Sequence, residues 1–154
     1  MQAGTRSAVA LGDLPGLVGE CLGVSRWHTV TQEQINLFAQ ATGDDQWLHV
    51  DPERARSGPF GTTIAHGYLT LSLGPMLLWD AVEVTGVSRV LNYGIDRVRF
   101  PTVVPVNSRV RLSVALLGIT DIDGGLSTKL GCTFELEGSA KPACVAEIIF
   151  CHFR

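Results

Sequence analysis

An aspartate and a histidine five residues apart are the strongest chemical signal in this sequence. Asp44 directly follows Gly43, and the run Asp-Gln-Trp-Leu separates it from His49. A carboxylate and an imidazole at this spacing can converge on one small volume if the intervening residues turn. Such a pair can take a proton from water and return it elsewhere, as a general base and acid do. We therefore interpret Asp44 and His49 as a candidate acid/base pair.

A second candidate feature begins sixteen residues after His49, where Ala65-His66-Gly67-Tyr68 opens a long apolar segment. A helix that begins there leaves its first backbone N–H groups without partners inside the helix, and it directs the positive end of its dipole outward. Backbone N–H groups in this position can polarise a carbonyl oxygen on which negative charge develops. The segment therefore predicts an anion-stabilising element near the acid/base pair.

The first of two predicted helices fixes the position of Asp44. The segment Thr31-Gln32-Glu33-Gln34 matches a capping box, with Thr31 as the N-cap and Gln34 reaching back from the third helical position. Apolar residues then recur on one helix face, and Gly43 is a typical residue to end the helix. Asp44 is therefore expected just beyond a fixed helix end.

The second predicted helix runs from His66 to about Asp80. It is apolar on nearly every side, which predicts that protein surrounds it, and Pro75 should kink it. The segment from Phe60 to Trp79 has no Asp, Glu, Lys or Arg. Histidine, threonine, glycine and proline interrupt it, however, which favours a buried helix of a soluble domain over a membrane span.

Most of the remaining chain is strand-like. Apolar residues alternate in the segments 91–100, 110–116, 130–136 and 144–153, and the phase of the first segment slips near Asp96, which predicts a bulge. A further strand is expected within Val18–Val30. Helices followed by meandering strands predict an α+β domain with an antiparallel sheet that wraps around the long helix. We expect this domain to span residues 19–154, after a loosely held arm over residues 1–18.

The composition limits the class of function. A length of 154 residues and a formal net charge of −3 predict one domain with no role in nucleic-acid binding. The four cysteines lack CxxC spacing, and the four histidines lack HxH or HExxH spacing, so neither predicts a metal site. We expect reduced, mostly buried thiols in a cytoplasmic protein that has no secretory signal and no membrane partner.

Three segments carry a resemblance to a known family. FAQATGDDQWLH at positions 38–49, AHGYLT at 65–70 and NYGIDRVRF at 92–100 resemble the MaoC-like (R)-specific enoyl-CoA hydratases. The first segment looks like the hydratase motif of that family. One departure is Gln46-Trp47, where many members carry Asn-Pro. We expect it to alter the local turn, and the acyl pocket, more than the acid/base pair.

The resemblance implies a fold, an activity and a set of site residues. The implied fold is the hot dog fold, usually a homodimer. The implied activity is reversible addition of water to an acyl-CoA thioester, from trans-2-enoyl-CoA to (R)-3-hydroxyacyl-CoA, without a cofactor. Asp44 and His49 would be the catalytic pair, and the backbone N–H of Gly67 the oxyanion donor. The candidate substrate-binding residues are His66, Asn92 and Gly94, although His66 could instead stabilise the start of the helix.

Two other functions remain open on the sequence alone. An acyl-CoA thioesterase would share the fold, and a non-catalytic acyl-CoA or acyl-carrier binding module would retain the pair without turnover. Release of a free thiol distinguishes the thioesterase, and tight binding without turnover distinguishes the binding module. The spacing of Asp44 and His49 favours the hydratase.

Overall fold

Local sequence signals set the helix ends in the computed structural model, which describes residues 7–154. Thr31 caps the first α-helix through the predicted capping box, and Gly43 ends that helix in the left-handed conformation at φ 76°. The five α-helices are α1 (Gln32–Thr42), α2 (Trp47–Val50), α3 (Pro52–Arg56), α4 (Gly67–Ser72) and α5 (Gly74–Ala81).

The strands form one large antiparallel sheet and one small parallel pair. The described residues form eight strands: β1 (Ser7–Ala10), β2 (Cys21–Val24), β3 (His28–Thr29), β4 (Val82–Thr85), β5 (Arg89–Arg99), β6 (Arg109–Ile122), β7 (Gly125–Leu136) and β8 (Cys144–Phe153). The six-stranded sheet has the order β2-β6-β7-β8-β5, and β3 also pairs with β6. Strands β1 and β4 pair in parallel. This architecture confirms the predicted α+β class.

The core lies between the large sheet and the helix pair α4–α5. Alternate residues of β6 face inward, and Val110, Leu112 and Leu116 are fully buried. Gly74, at the start of α5, lies so close to the sheet that a Cβ there would be 3.3 Å from the Phe134 ring. The absence of a side chain at position 74 thus allows α5 to pack directly on the sheet.

The long helix predicted from His66 to Asp80 is interrupted. Leu73 separates α4 from α5, and Pro75 occupies the first turn of α5, where its missing N–H costs no helical hydrogen bond. The expectation that protein surrounds the helix on nearly every side is wrong for the single chain. Tyr68 is 67% exposed and Trp79 is 58% exposed, so one face of the helix pair is open.

The N-terminal segment is held more firmly than predicted. Residues 1–6 lie outside the described residues, but β1 pairs with β4, and a 3₁₀ helix (Leu11–Leu17) follows it. Leu11 and Leu14 are 4% and 1% exposed and belong to the main core. The prediction of a loose arm over residues 1–18 is therefore wrong for residues 7–17, because two leucines pack inward. The proposed division into residues 1–18 and 19–154 stays a prediction.

The irregularities of the strands agree with the sequence in one case and refine it in another. Register shifts lie between Asn92 and Gly94 and between Ile95 and Arg97, which confirms the predicted bulge near Asp96. The strand expected within Val18–Val30 is instead two short strands, β2 and β3. Gly23 allows β2 to lie close to the last residue of α5, because a Cβ at position 23 would overlap the backbone carbonyl of Ala81.

All four cysteines are free thiols, and three of them are buried, as predicted. Burial raises the pKa of Cys132 and of Cys144 to about 12, so both thiols stay protonated and inert at neutral pH. Within residues 7–154, none of the helices is long and apolar enough to cross a membrane.

Replacing Leu14 with alanine tests whether the N-terminal segment is part of the core. We expect Leu14→Ala to lower the free energy of unfolding by roughly 2–5 kcal/mol, because it removes a buried side chain and leaves a cavity. Leu37→Ala is the matched control, since Leu37 is 57% exposed on α1 and should change the free energy by less than about 0.5 kcal/mol. Chemical denaturation measures both. Equal, small effects would show that the segment is loosely held.

Candidate active site

The C-terminal end of α1 positions Asp44. The backbone N–H of Gly43 donates to the carbonyl of Ala39 at 2.8 Å and closes the last turn of the helix. The hydroxyl of Thr42 donates to the Phe38 carbonyl at 2.8 Å, and the Asp44 N–H lies 3.4 Å from that hydroxyl. The carboxylate of Asp44 is thereby presented on an exposed loop that begins at a fixed point.

The short helix α2 positions His49. The His49 N–H donates to the carbonyl of Gln46 at 2.9 Å, and the half-buried imidazole points its Nδ1 at the carbonyl of Ile64, 2.8 Å away. A carbonyl oxygen only accepts hydrogen bonds, so Nδ1 carries the proton of the neutral ring. Nε2 of His49 is therefore left with a lone pair.

His66 connects the two segments that carry Asp44 and His49. Its side chain is only 2% exposed, and its Nε2 donates to the backbone carbonyl of Asp44 at 2.8 Å. The ring stacks on His49 with 3.8 Å between centroids and an interplanar angle of 25°. Nδ1 of His66 is buried and has no hydrogen-bond partner in the described part of the chain. The contacts of His66 are compatible with both roles expected from the sequence, which are holding the start of α4 and lining the site.

The three side chains form one cluster. One carboxylate oxygen of Asp44 and one ring nitrogen each of His49 and His66 lie within 4.8 Å of one another. The predicted convergence of Asp44 and His49 is therefore present in the folded chain. The same spacing could accept a metal ion, which the sequence motifs did not indicate. However, His49 Nδ1 and His66 Nε2 are already engaged with carbonyl groups, so each ring has one nitrogen left to offer.

Gln32 is a site residue that sequence reasoning missed. Its side-chain amide donates to the backbone carbonyl of His49 at 2.7 Å, and its amide oxygen accepts from the hydroxyl of Thr63 at 2.5 Å. Gln32 therefore links the first turn of α1 to α2 and to the segment before α4. Its place inside the capping sequence concealed this role, because the partners are 17 and 31 residues away.

Gly67 is the first residue of α4, where the backbone N–H groups have no acceptor within the helix. A Cβ at this position would lie 3.1–3.2 Å from the ring of Phe100, which is tighter than ordinary contact. The space beside Gly67 is thus closed on one side by an aromatic ring that itself lies in edge contact with Tyr68 at 6.1 Å. A larger residue at position 67 would require the Phe100 ring to shift by a few tenths of an ångström. The role of the Gly67 N–H as an oxyanion donor stays a prediction.

Asn92 and Gly94 line a groove whose lining includes none of the three cluster residues. Both residues are on β5 and line an open groove of about 410 Å³, together with Leu71 and Ser72 of α4. The groove lies between the helix pair α4–α5 and strands β5 and β8. None of the described contacts connects Asn92 or Gly94 to the cluster, so their substrate-binding role stays a prediction.

The departure at Gln46-Trp47 affects the neighbouring helix. The ring of Trp47 lies 4.5 Å from the guanidinium carbon of Arg54, and a Cβ on Gly58 would be 2.9 Å from the same ring. Trp47 therefore packs against α3 and the loop after it. Gln46 accepts the hydrogen bond that begins α2, so the turn that presents His49 forms without proline.

The tautomer of His49 can be measured directly. At about pH 8.5, where an ordinary imidazole is neutral, we expect His49 to carry its proton on Nδ1, because Ile64 offers only an acceptor. Long-range ¹H–¹⁵N spectra of the side chains distinguish the tautomers, and the spectrum of His49→Gln assigns the signal. A proton on Nε2 would contradict the arrangement and would remove the lone pair from the site.

Comparison with known proteins agrees with the fold and with the family resemblance. Residues 14–132 match the sequence model of the family described as MaoC like domain. The 3-hydroxyacyl-thioester dehydratase Z of Mycobacterium tuberculosis is 54% identical over 145 residues, which cover 94% of this chain and 96% of that protein.

Two solved structures share the architecture. R-hydratase PhaJ1 from Pseudomonas aeruginosa superposes with a TM-score of 0.72 at 18% identity, covering 86% of this chain and 82% of that one. The (R)-hydratase from A. caviae involved in PHA biosynthesis superposes with a TM-score of 0.69 at 22% identity, covering 85% and 95%. These similarities confirm the hot dog fold. The match over residues 14–132 and the 54% identity to a full-length relative show that the chain belongs to the MaoC-like family.

Proposed function

We propose that this protein is a hydratase that reversibly adds water to a trans-2-enoyl-CoA thioester to give an (R)-3-hydroxyacyl-CoA. The observation that carries the proposal is the convergence of the Asp44 carboxylate with His49, whose Nδ1–H is bound to Ile64. A carboxylate and an imidazole lone pair together make a site for one water molecule. A close relative named as a 3-hydroxyacyl-thioester dehydratase and structural neighbours named as (R)-hydratases support the same chemistry.

The proton transfers follow from the state of the two side chains. Water donates one hydrogen bond to the Asp44 carboxylate and one to Nε2 of His49. As the water oxygen bonds to the β carbon, His49 takes its proton, and the electron pair of the double bond moves towards the thioester oxygen. The imidazolium then returns the proton to the α carbon on the same face, so that one molecule of water is added. Asp44 orients the water and stabilises the imidazolium.

The developing negative charge on the thioester oxygen needs a donor. The backbone N–H of Gly67 is at the N-terminal end of α4 and has no acceptor within that helix. The reaction changes no oxidation state overall and needs only water and the thioester, so we propose that it runs without a metal or redox cofactor. The four free cysteines are compatible with the reducing cytoplasm.

We further propose that the active form is a homodimer. Strand β5 forms the edge of the six-stranded sheet, and β8 is its only strand neighbour within residues 7–154. Leu91, Tyr93 and Ile95 on β5 are 52%, 75% and 45% exposed. An eleven-residue edge strand with exposed apolar side chains is a liability for a single chain. A second copy of the chain paired along β5 would cover it.

The activity is tested by mixing the purified protein with crotonyl-CoA and following enone absorbance and free thiol together. We expect loss of the enone without thiol release. Asp44→Asn and His49→Gln should each lower turnover by ~10²–10⁴, the usual contribution of a positioned acid or base. Asp45→Asn and His28→Gln are matched controls that should retain near-normal rates, since neither residue belongs to the cluster.

Other outcomes of this assay identify a different function. Thiol release would identify an acyl-CoA thioesterase, and silence with crotonyl-CoA and longer chains would favour a binding module. Near-normal kinetics in a folded Asp44→Asn or His49→Gln variant would remove that residue from the mechanism. Circular dichroism of each variant shows whether it is folded.

The dimer is tested by light scattering after gel filtration. Tyr93→Asp should shift the protein from dimer to monomer, because it places a charge in the centre of the exposed β5 face. Leu37→Asp is the matched control: Leu37 is 57% exposed on α1, away from β5, and its replacement should leave the mass unchanged. A wild-type mass of one chain, or a Tyr93→Asp protein that stays dimeric, would contradict the proposed interface.

A further inference from the structure

A separate cavity of about 170 Å³ lies at the far end of α5 from the catalytic cluster. The cavity is lined by Leu14 of the 3₁₀ helix, Leu22 of β2, Leu78 of α5, and Val90 and Leu130 of the large sheet. An apolar cavity of about 150 Å³ is large enough to bind benzene. The cavity is therefore of the size that holds one small ring.

Two buried polar side chains, Thr128 and His152, line this cavity. His152, on β8, is 4% exposed, and its Nδ1 has no hydrogen-bond partner in the described part of the chain. A buried polar nitrogen without a partner costs free energy, of the order of 1–3 kcal/mol. A bound molecule that offers the missing hydrogen bond would recover this cost.

The surroundings of His152 define which hydrogen bond is missing. The hydroxyl of Thr128 lies 3.1 Å from Nε2 of His152 and donates to the carbonyl of Phe150 at 3.4 Å. We assign the single hydroxyl proton of Thr128 to the Phe150 carbonyl, so that Nε2 of His152 is the donor to Thr128. Nδ1 is then an acceptor. Burial also lowers the pKa of His152, so the ring is neutral at pH 7.

We propose that this cavity is a second binding site, which takes a small neutral molecule with an apolar ring and one hydroxyl group. The hydroxyl donates to Nδ1 of His152, and the ring fills the space between Leu78, Val90 and Leu130. None of the residues that line the cavity belongs to the cluster of Asp44, His49 and His66 or is Gly67.

Phenol and benzene are suitable probes because they differ only in the hydroxyl. Two-dimensional ¹H–¹⁵N spectra of the full chain should show phenol perturbing Leu22, Leu78 and Val90, and the ¹⁵N signal of His152 Nδ1 should move as it accepts a hydrogen bond. Phenol should bind about 5- to 10-fold more tightly than benzene, the effect of one buried hydrogen bond. Absence of these shifts, or equal binding of the two probes, would overturn the proposal.

Two variants separate the hydrogen bond from the cavity. His152→Leu should weaken phenol binding 5- to 10-fold without weakening benzene binding, whereas His28→Leu, a histidine outside the cavity, should change neither. Val90, which pairs directly with His152 across β5 and β8, can be enlarged to fill the space. Val90→Phe should abolish binding of both probes. If a variant does not fold, the Nδ1 shift in the wild-type protein still decides the question.

The ring and its hydroxyl could belong to a free molecule or to the far end of a long acyl substrate. Kinetics distinguish these sources, and only this arm rests on the proposed hydratase activity. Phenol that competes with a long-chain enoyl-CoA but not with crotonyl-CoA would identify the cavity as the end of the acyl site. Phenol that leaves both rates unchanged would identify a site for a free ligand. The spectra report binding in either case, even for a protein without turnover.

Discussion

The hydrogen bond from His66 to the carbonyl of Asp44 is the interaction on which the rest of the site depends. It joins the loop after α1 to the residue that directly precedes α4, and the two residues are 22 positions apart in the sequence. The buried ring also stacks on His49, whose orientation is fixed by the Ile64 carbonyl. One imidazole therefore connects the segments that carry the proposed acid/base pair, Asp44 and His49, and the proposed oxyanion donor at the start of α4.

Packing of the helix pair α4–α5 against aromatic rings also restrains the site. Gly74 allows α5 to lie on Phe134, and the ring of Phe100 fills the space beside Gly67. At each of these glycines a helix lies against an aromatic ring. The ring limits how closely the helix can approach the rest of the protein. Gln32 supplies a second restraint, because it connects α1 to the carbonyl of His49 and to Thr63. Packing and hydrogen bonding thus restrain the site from different sides.

The sequence predicted those features of the fold that depend on residues close together in the chain. The capping box at Thr31, the end of α1 at Gly43 and the bulge near Asp96 follow from residues within a few positions of each feature. The errors have tertiary causes. Leu14 is buried because strands that are distant in the sequence pack over it. The glycine and proline residues next to Leu14 in the sequence give no sign of that packing. Gln32 was missed for the same reason, since its role depends on partners that only the fold brings close.

Two buried histidines show how the environment of a residue separates a catalytic setting from a binding one. His66 and His152 each have one nitrogen engaged and one without a partner in the described part of the chain. A ring nitrogen of His66 lies within 4.8 Å of a carboxylate oxygen of the exposed Asp44 and of a ring nitrogen of His49. His152 lines a cavity whose other residues are mostly leucine and valine. The first environment favours chemistry on a polar group, and the second favours an apolar molecule with a single hydrogen bond to offer.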